Sequence, residues 1–227
     1  MYAKCFKRLI DFTISLAALL VLSPVLLVLM VLGAVKMKGN PFFTQLRPGK
    51  DEKIFKLIKF RSMTCETDAS GNLLPDAQRM TRYGEILRST SLDELPELLN
   101  ILKGDMALVG PRPQLVRDMV FMTPEQRNRH NVRQGLTGLA QCNGRNGISW
   151  EKKFEYDLQY IENITFWGDV KILLKTVKSV FTREGINEEN MATAEDLGDY
   201  LLRKKEVDLQ TYNTKMTESS DWLRMTV

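Results

Sequence analysis

The longest apolar run occupies residues 12 to 35 and carries no charge, while Lys4, Lys7 and Arg8 precede it and Lys36 and Lys38 follow it. As one helix it would extend about 36 Å, enough for the roughly 30 Å hydrocarbon layer of a bilayer. Ser23-Pro24 interrupts it at the midpoint. Proline removes an N–H and crowds the preceding turn, so a kink or break is expected there, with the Ser23 hydroxyl free to cover a released carbonyl. Positive charge at both ends does not choose an orientation and puts both on the cytoplasmic side. The economical geometry is a re-entrant helix that enters, bends and returns to one face; a kinked single span is the alternative. A cleaved signal peptide fits poorly, because the run is too long and lacks a small-residue cleavage site.

After Asn40-Pro41 the pattern changes period. Phe42 to Gln45 and Ile54 to Phe60 read as two strands around the Arg47-Pro48-Gly49-Lys50 turn, a small β-hairpin. Residues 64 to 77 are polar and aperiodic, a mobile loop over a site. Leu92, Leu95, Leu98, Leu99 and Leu102 share one helical face that stops at Lys103-Gly104. Val170, Leu173, Leu174, Val177 and Phe181 form a later apolar stripe, with Lys171, Lys175 and Lys178 on other faces. This stripe reads as a core-packing helix or as one lying on a membrane. Beyond Gly185 the chain turns polar, with one short helix suggested by Leu197, Tyr200 and Leu201 and a loosely held end. The expected organisation is a membrane helix over 1–39, a catalytic unit over 40–185 and a polar tail over 186–227. The fold class is α+β, mainly helical, with interfacial helices around the catalytic unit.

Composition narrows the chemistry. A chain of 227 residues holds the membrane element and one compact domain. The net charge of +4 suits anionic lipid or a phosphorylated ligand, and no nucleic-acid partner is expected. Cys5, Cys65 and Cys142 are unpaired in spacing, and His130 is the only histidine, which argues against a disulfide framework or a zinc site. Asn163-Ile164-Thr165 matches a glycosylation acceptor by chance if the domain is cytoplasmic.

Adjacent carboxylates Asp93 and Glu94 sit at the start of the leucine-rich helix. Ser91 to Glu94 also matches a capping box, a purely structural use. Pro96 favours a helix beginning near Asp93, where the helix dipole and Arg88 would keep the carboxylate ionised. Arg112 lies between Pro111 and Pro113, a rigid setting for a phosphate-binding guanidinium. Lys59, Arg61 and Arg145 add cations, the last among glycines that permit close backbone approach.

Lys-Phe-Arg-Ser-Met (59–63), Ser-Leu-Asp-Glu-Leu-Pro-Glu-Leu-Leu-Asn (91–100), Gly-Asp-Met-Ala-Leu-Val-Gly-Pro-Arg-Pro (104–113), Gly-Leu-Thr-Gly-Leu-Ala-Gln (135–141) and Asn-Gly-Arg-Asn (143–146) follow in order. Together with the Ser-Pro break, they resemble the bacterial monotopic phosphoglycosyl transferases, or bacterial sugar transferases, in their minimal form. The resemblance implies transfer of a sugar 1-phosphate from a UDP-sugar to a polyprenyl (undecaprenyl) phosphate at the cytoplasmic face of the inner membrane, with release of UMP and a requirement for Mg2+. It implies Asp93 as nucleophile in a covalent aspartyl-phosphosugar intermediate and Glu94 in metal binding or proton handling, with both as metal-site candidates. Lys59, Arg61, Arg88, Arg112 and Arg145 become candidate phosphate or nucleotide contacts. Asp157 and Asp169 match acidic positions the family keeps, which a buried ion pair would equally explain. Direct attack by the lipid phosphate without a covalent enzyme, or an inactive anchored interaction protein, are the rival readings. The resemblance assigns no role to the tail, which is expected to be dispensable for chemistry. The sugar, the pathway and the oligomeric state, a homodimer among the options, stay open.

Overall fold

The computed structural model describes residues 2–144, 147–182 and 195–226. The expected boundary at 185/186 therefore lies outside the described residues.

A π-helical turn, Tyr2–Phe6, leads into helix α1, Lys7–Lys36. The helix is continuous through Pro24, and Ser23 Oγ donates 2.8 Å to Leu20 O, the carbonyl that Pro24 cannot serve. The hydroxyl thus plays the part expected of it. The burial of α1 is inverted: Asp11, Ser15 and Gly33 are its buried residues, whereas Leu20, Val21, Val28 and Val35 are exposed. Apolar side chains facing outward along most of a helix mark a surface meant for a non-aqueous neighbour. This is the one helix among the described residues long and apolar enough to cross a membrane.

Strands β1, Phe42–Pro48, and β2, Ile54–Phe60, pair antiparallel in a register running from Phe42 opposite Phe60 to Pro48 opposite Ile54. The expected hairpin is present, with its first strand three residues longer than the pattern suggests. Residues 63 to 80 hold short antiparallel bridges, Thr67 to Leu73 and Met63 to Met80, and a first short helix, α2, Asp76–Arg79. Helix α3, Arg82–Ser89, follows with a Thr81 cap.

The acidic segment does not begin as an α-helix. Ser91 is left-handed (φ 56°) and caps nothing with its side chain; Leu92–Glu94 is a 3-10 turn, and α4 runs Glu97–Lys103 behind Pro96. The capping box is not formed. Gly104 closes α4 at φ 95°, a conformation that favours glycine. The buried face of α4 is Glu97, Leu98, Asn100 and Ile101, while Leu99 is exposed.

Strand β3, Met106–Val109, lies parallel to β4, Gln134–Thr137, with α5, Val116–Met119, and α6, Pro124–Arg127, in the connection. Gly110 and Gly135 meet where the pair ends: a Cβ on Gly135 would lie 2.1 Å from Gly110 N. Only bare backbone fits there, which fixes the exit of the chain into Pro111-Arg112-Pro113. Helices α7, Leu139–Cys142, α8, Trp150–Glu162, and α9, Phe166–Thr182, pack around this pair. The main core joins Leu57, Leu98, Ile101, Met106, Val109, Tyr160 and Ile172. Each such side chain contributes roughly 1.5–3 kcal/mol by leaving water.

On α9 the inward positions are Asp169 and Ile172. Of the expected stripe, Leu174 and Val177 are exposed, as is Trp167, and Lys171, Lys175 and Lys178 are exposed as well. The stripe divides between the two readings: Leu173 packs against the main core and Val170 is half-buried, whereas Leu174 and Val177 face outward. The side chain of Phe181 lies outside the described residues. Residues 195–226 are not loosely held either. They form α10, Leu197–Arg203, and α11, Leu209–Thr226, and Leu197 enters a second cluster with Val120, Phe121, Met122, Trp150 and Phe154.

Candidate active site

Period-two alternation puts Lys59 on the same face of β2 as the buried Phe55 and Leu57, so its ammonium enters the protein rather than water. Asn100, fully buried on α4, fixes the strand against the helix: its Oδ1 accepts Ile58 N–H (3.1 Å) and its Nδ2 donates to Lys56 O (2.8 Å). This registers Lys59 against the acidic turn. Lys59 Nζ donates to Glu94 Oε1 (2.8 Å) and pairs with Glu97 Oε1 (3.1 Å). From the Pro-Arg-Pro turn, Arg112 Nη2 donates to the same Glu94 oxygen (2.9 Å). Asp93, next to it, has no hydrogen bond or ion pair to any described residue.

The electrostatics separate these neighbours. Burial alone would raise Glu94, but Lys59 and Arg112 outweigh it and hold its carboxyl far below the usual range. Burial, then the charge of Glu94, pushes Asp93 up, against Lys59, Arg112 and Arg88. The direction is opposite to the dipole argument from sequence, because the acidic turn is half-buried and its strongest neighbour is another carboxylate. Burial also drives Glu97 up to about 7, with Lys59 opposing and Glu94 adding. Lys59, penalised by burial, is nonetheless held above its ordinary value by Glu94 and Glu97.

A cleft of about 1050 Å³ opens over Asp93 and is lined by Lys59, Arg61, Arg88, Arg112 and Asp157. The 64–77 segment lines it through Thr64, Cys65, Leu73 and Asp76. Arg88 Nε donates to Ser62 Oγ (3.0 Å). Asp157 accepts two bonds from Arg129, at 2.9 and 2.7 Å, and Arg129 Nη2 also donates to Arg112 O (2.6 Å). Asp157 therefore supports the Arg112 turn from behind. Asp169 lies apart from the cleft lining: its Oδ2 takes Lys7 Nζ (2.7 Å) and Tyr2 OH (2.7 Å), and its Oδ1 takes Tyr160 OH (2.9 Å). Arg145 falls outside the described residues. Sequence reading missed Glu97, although it stands one helical turn from Asp93 and Glu94, and Arg47, which lines the cleft and donates to Pro113 O (3.2 Å).

Such a site can bind a diphosphate and offer it a carboxylate nucleophile. For a hard divalent cation the donors are suitable: Asp93 and the second oxygen of Glu94 are carboxylate oxygens not engaged by Lys59 or Arg112. No group of three or more metal-ligating side chains exists among the described residues, so ligand phosphates and water would have to complete the shell.

The bacterial sugar transferase profile matches residues 2–183. The chain is 50% identical over 189 residues to the uncharacterized sugar transferase EpsL of Bacillus subtilis, covering 83% of this chain and 94% of that one. It is 42% identical over 182 residues to a UDP-glucose:undecaprenyl-phosphate glucose-1-phosphate transferase of Klebsiella pneumoniae, covering 76% of this chain and 39% of that one. Against the exopolysaccharide production protein PSS of Rhizobium leguminosarum, identity is 39% over 191 residues, covering 78% and 96%. The match thus spans under half of the Klebsiella relative and nearly all of the other two. A profile covering most of the sequence, carried by the same segments that build the cleft, makes this chain a member of the bacterial sugar transferase family.

Proposed function

We propose that the protein transfers a sugar 1-phosphate from a UDP-sugar to a polyprenyl phosphate through a covalent intermediate on Asp93. The observation that carries this reading is the asymmetry of the acidic pair: Glu94 is clamped by two cations, while Asp93 faces the cleft without a partner among the described residues. A free, half-desolvated carboxylate with a raised pKa is a competent nucleophile. In the first step an Asp93 oxygen bonds to the β-phosphorus, the bond from that phosphorus to the bridging oxygen breaks, and UMP leaves with the electron pair. In the second, an oxygen of the lipid phosphate attacks the same phosphorus and restores the Asp93 carboxylate, leaving a polyprenyl diphosphate sugar. Lys59, Arg88 and Arg112 neutralise phosphate charge as it moves. Mg2+ held by Asp93 and Glu94 would supply further charge neutralisation on the diphosphate. Relatives in Klebsiella and Caulobacter named UDP-glucose:undecaprenyl-phosphate glucose-1-phosphate transferases support the substrate class.

The acceptor requires a lipid interface, and α1 suits a re-entrant position on the cytoplasmic side of the inner membrane. Arg8 Nη2 donates to Leu102 O (2.8 Å) near one end, and Tyr83 OH to Leu29 O (2.8 Å) near the other. A span that put residues 8 and 29, roughly 30 Å apart along a helix, on opposite faces would conflict with one domain holding both. Exposed Trp167 and Leu174 on α9 extend the apolar surface. Accessibility probes at residues 4 and 40 should report one compartment; opposite compartments would establish a span.

The chemistry is tested with donor and Mg2+ but no lipid acceptor. UMP should appear in a burst equal to the enzyme concentration, leaving a phosphosugar mass increment on the peptide with Asp93. No burst but normal steady-state turnover would mean direct attack by the lipid phosphate, and no turnover with any UDP-sugar would favour an inactive anchor.

A further inference from the structure

The family match ends at residue 183, yet the described chain from Glu195 onward is built into the catalytic unit. Asp118 on α5 is 2% exposed and works with both oxygens: Oδ2 accepts Leu115 N–H (2.9 Å), and Oδ1 accepts Leu197 N–H (2.9 Å). Leu115 ends the turn that starts at Gly110 and carries Arg112, and Leu197 is the first residue of α10. Neighbouring contacts hold the same junction. Trp150 Nε1 donates to Glu195 O (3.2 Å), Lys215 Nζ donates to Val120 O (2.5 Å), and Arg117 pairs with Asp196. Glu195 and Asp196 line the same cleft as Asp93.

We propose that Asp118 and the Leu197 N–H form a latch through which the C-terminal helices hold the Arg112 turn in place, making the tail a positioning element of the active site. A buried carboxylate that loses one of its donors must find another or shift, and shifting Asp118 releases Leu115. Arg112 reaches Glu94 through a single hydrogen bond from a half-exposed guanidinium, so small movements of its turn change the cation's aim. Misplacement on the ångström scale is costly in a site that works by orientation. This reverses the expectation that the tail is dispensable. The catalytic consequence rests on the function proposed above; the latch itself does not.

Leu197→Pro deletes the N–H while fitting the first helical position, and Asp196 (φ −71°, ψ 156°) already has the extended backbone that precedes proline. Leu197→Ala keeps the N–H and loses comparable packing, so the two variants separate the latch from the core. Leu197→Pro should lose about tenfold more donor kcat/KM than Leu197→Ala, and that further loss should vanish in an Arg112→Ala background. Equal activities in the Arg112 enzyme, or a further loss that persists without Arg112, would overturn the proposal. Hydrogen exchange of residues 112 to 115, measured without substrate, should quicken in Leu197→Pro and not in Leu197→Ala. Equal exchange in the two variants overturns the latch even if no UDP-sugar is ever turned over.

Discussion

Two clusters of buried charge use similar residues to opposite ends. Around Asp169, the acid meets Lys7, Tyr2 and Tyr160, and Lys7 also pairs with Asp11 at 3.6 Å. Both oxygens of Asp169 are engaged, and the cluster ties the start of α1 to α8 and α9. Around Glu94, two cations converge on one oxygen while the adjacent Asp93 is left unmatched beside a cleft. A saturated polar network is an anchor, since every group has already been answered. An unsaturated one keeps a reactive atom available and tolerates strain in its charges. The three acids therefore divide by their contacts: Asp169 ties down the start of α1, Asp157 backs Arg112, and Asp93 is the one left open to the proposed chemistry.

Removing one carboxylate from each cluster should break the comparison cleanly. Asp93→Asn should lower turnover by at least about a thousandfold, roughly 4 kcal/mol of barrier, with the unfolding midpoint in detergent almost unmoved, because nothing described is bonded to that side chain. Asp169→Asn should cost about 3 kcal/mol of stability by leaving the buried Lys7 with only the longer Asp11 pair, yet leave turnover per folded molecule within a few-fold. Parallel unfolding curves and active-site-normalised rates measure both. A folded but inactive Asp169→Asn would put that residue in the chemistry.

Local pattern made much of this legible and distance hid the rest. The membrane helix, the hairpin from Phe42 and the helix end at Gly104 follow from periodicity and turn chemistry within short windows. Asp93 and Glu94 stood out because two acids precede a leucine-rich helix. Their division of labour did not, since it depends on Lys59 and Arg112, which reach Glu94 from 35 and 18 residues away. The parallel pairing of β3 with β4 is equally non-local, and without it the Gly110–Gly135 approach that aims Arg112 has no sequence signature. On α9 the pattern was ambiguous for a different reason. A helix with apolar side chains both inward, as at Ile172 and Leu173, and outward, as at Leu174 and Val177, carries a stripe that alone does not say which part points inward.

The pH dependence sharpens the contrast within the acidic cluster. Glu97 titrates at about 7 in the folded protein, above the ordinary 4.5, so protonation favours folding. Its contribution is complete below the unfolded value and disappears as pH rises through about 7. Glu94, held low, acts in the opposite sense, its contribution being lost only as pH falls through its folded value. Between pH 5 and 8 the stability difference between Glu97→Gln and the wild type should therefore move by about 2 kcal/mol in favour of the variant. Asp196, pushed up to about 6, shifts both proteins alike and cancels. Urea unfolding at four pH values in one detergent measures it, and a difference independent of pH would mean that Glu97 stays ionised throughout.

The smallest test concerns the hydroxyl of Tyr160, which lies within hydrogen-bond distance of Asp169 Oδ1 (2.9 Å) and Val109 O (3.0 Å). It touches both the anchor and the strand that leads to Arg112, so it asks whether the two clusters communicate. Tyr160→Phe keeps the ring that packs in the core and removes one donor from a saturated network, which should cost about 1 kcal/mol of stability. If the clusters are independent, donor KM and turnover stay at wild-type values, because Arg112 is aimed by Gly110, Arg129 and Asp118 rather than by Asp169. A drop in turnover of tenfold or more at unchanged fold would show the strand transmitting the anchor's geometry to the cleft, and the separation of anchor from chemistry would have to be abandoned.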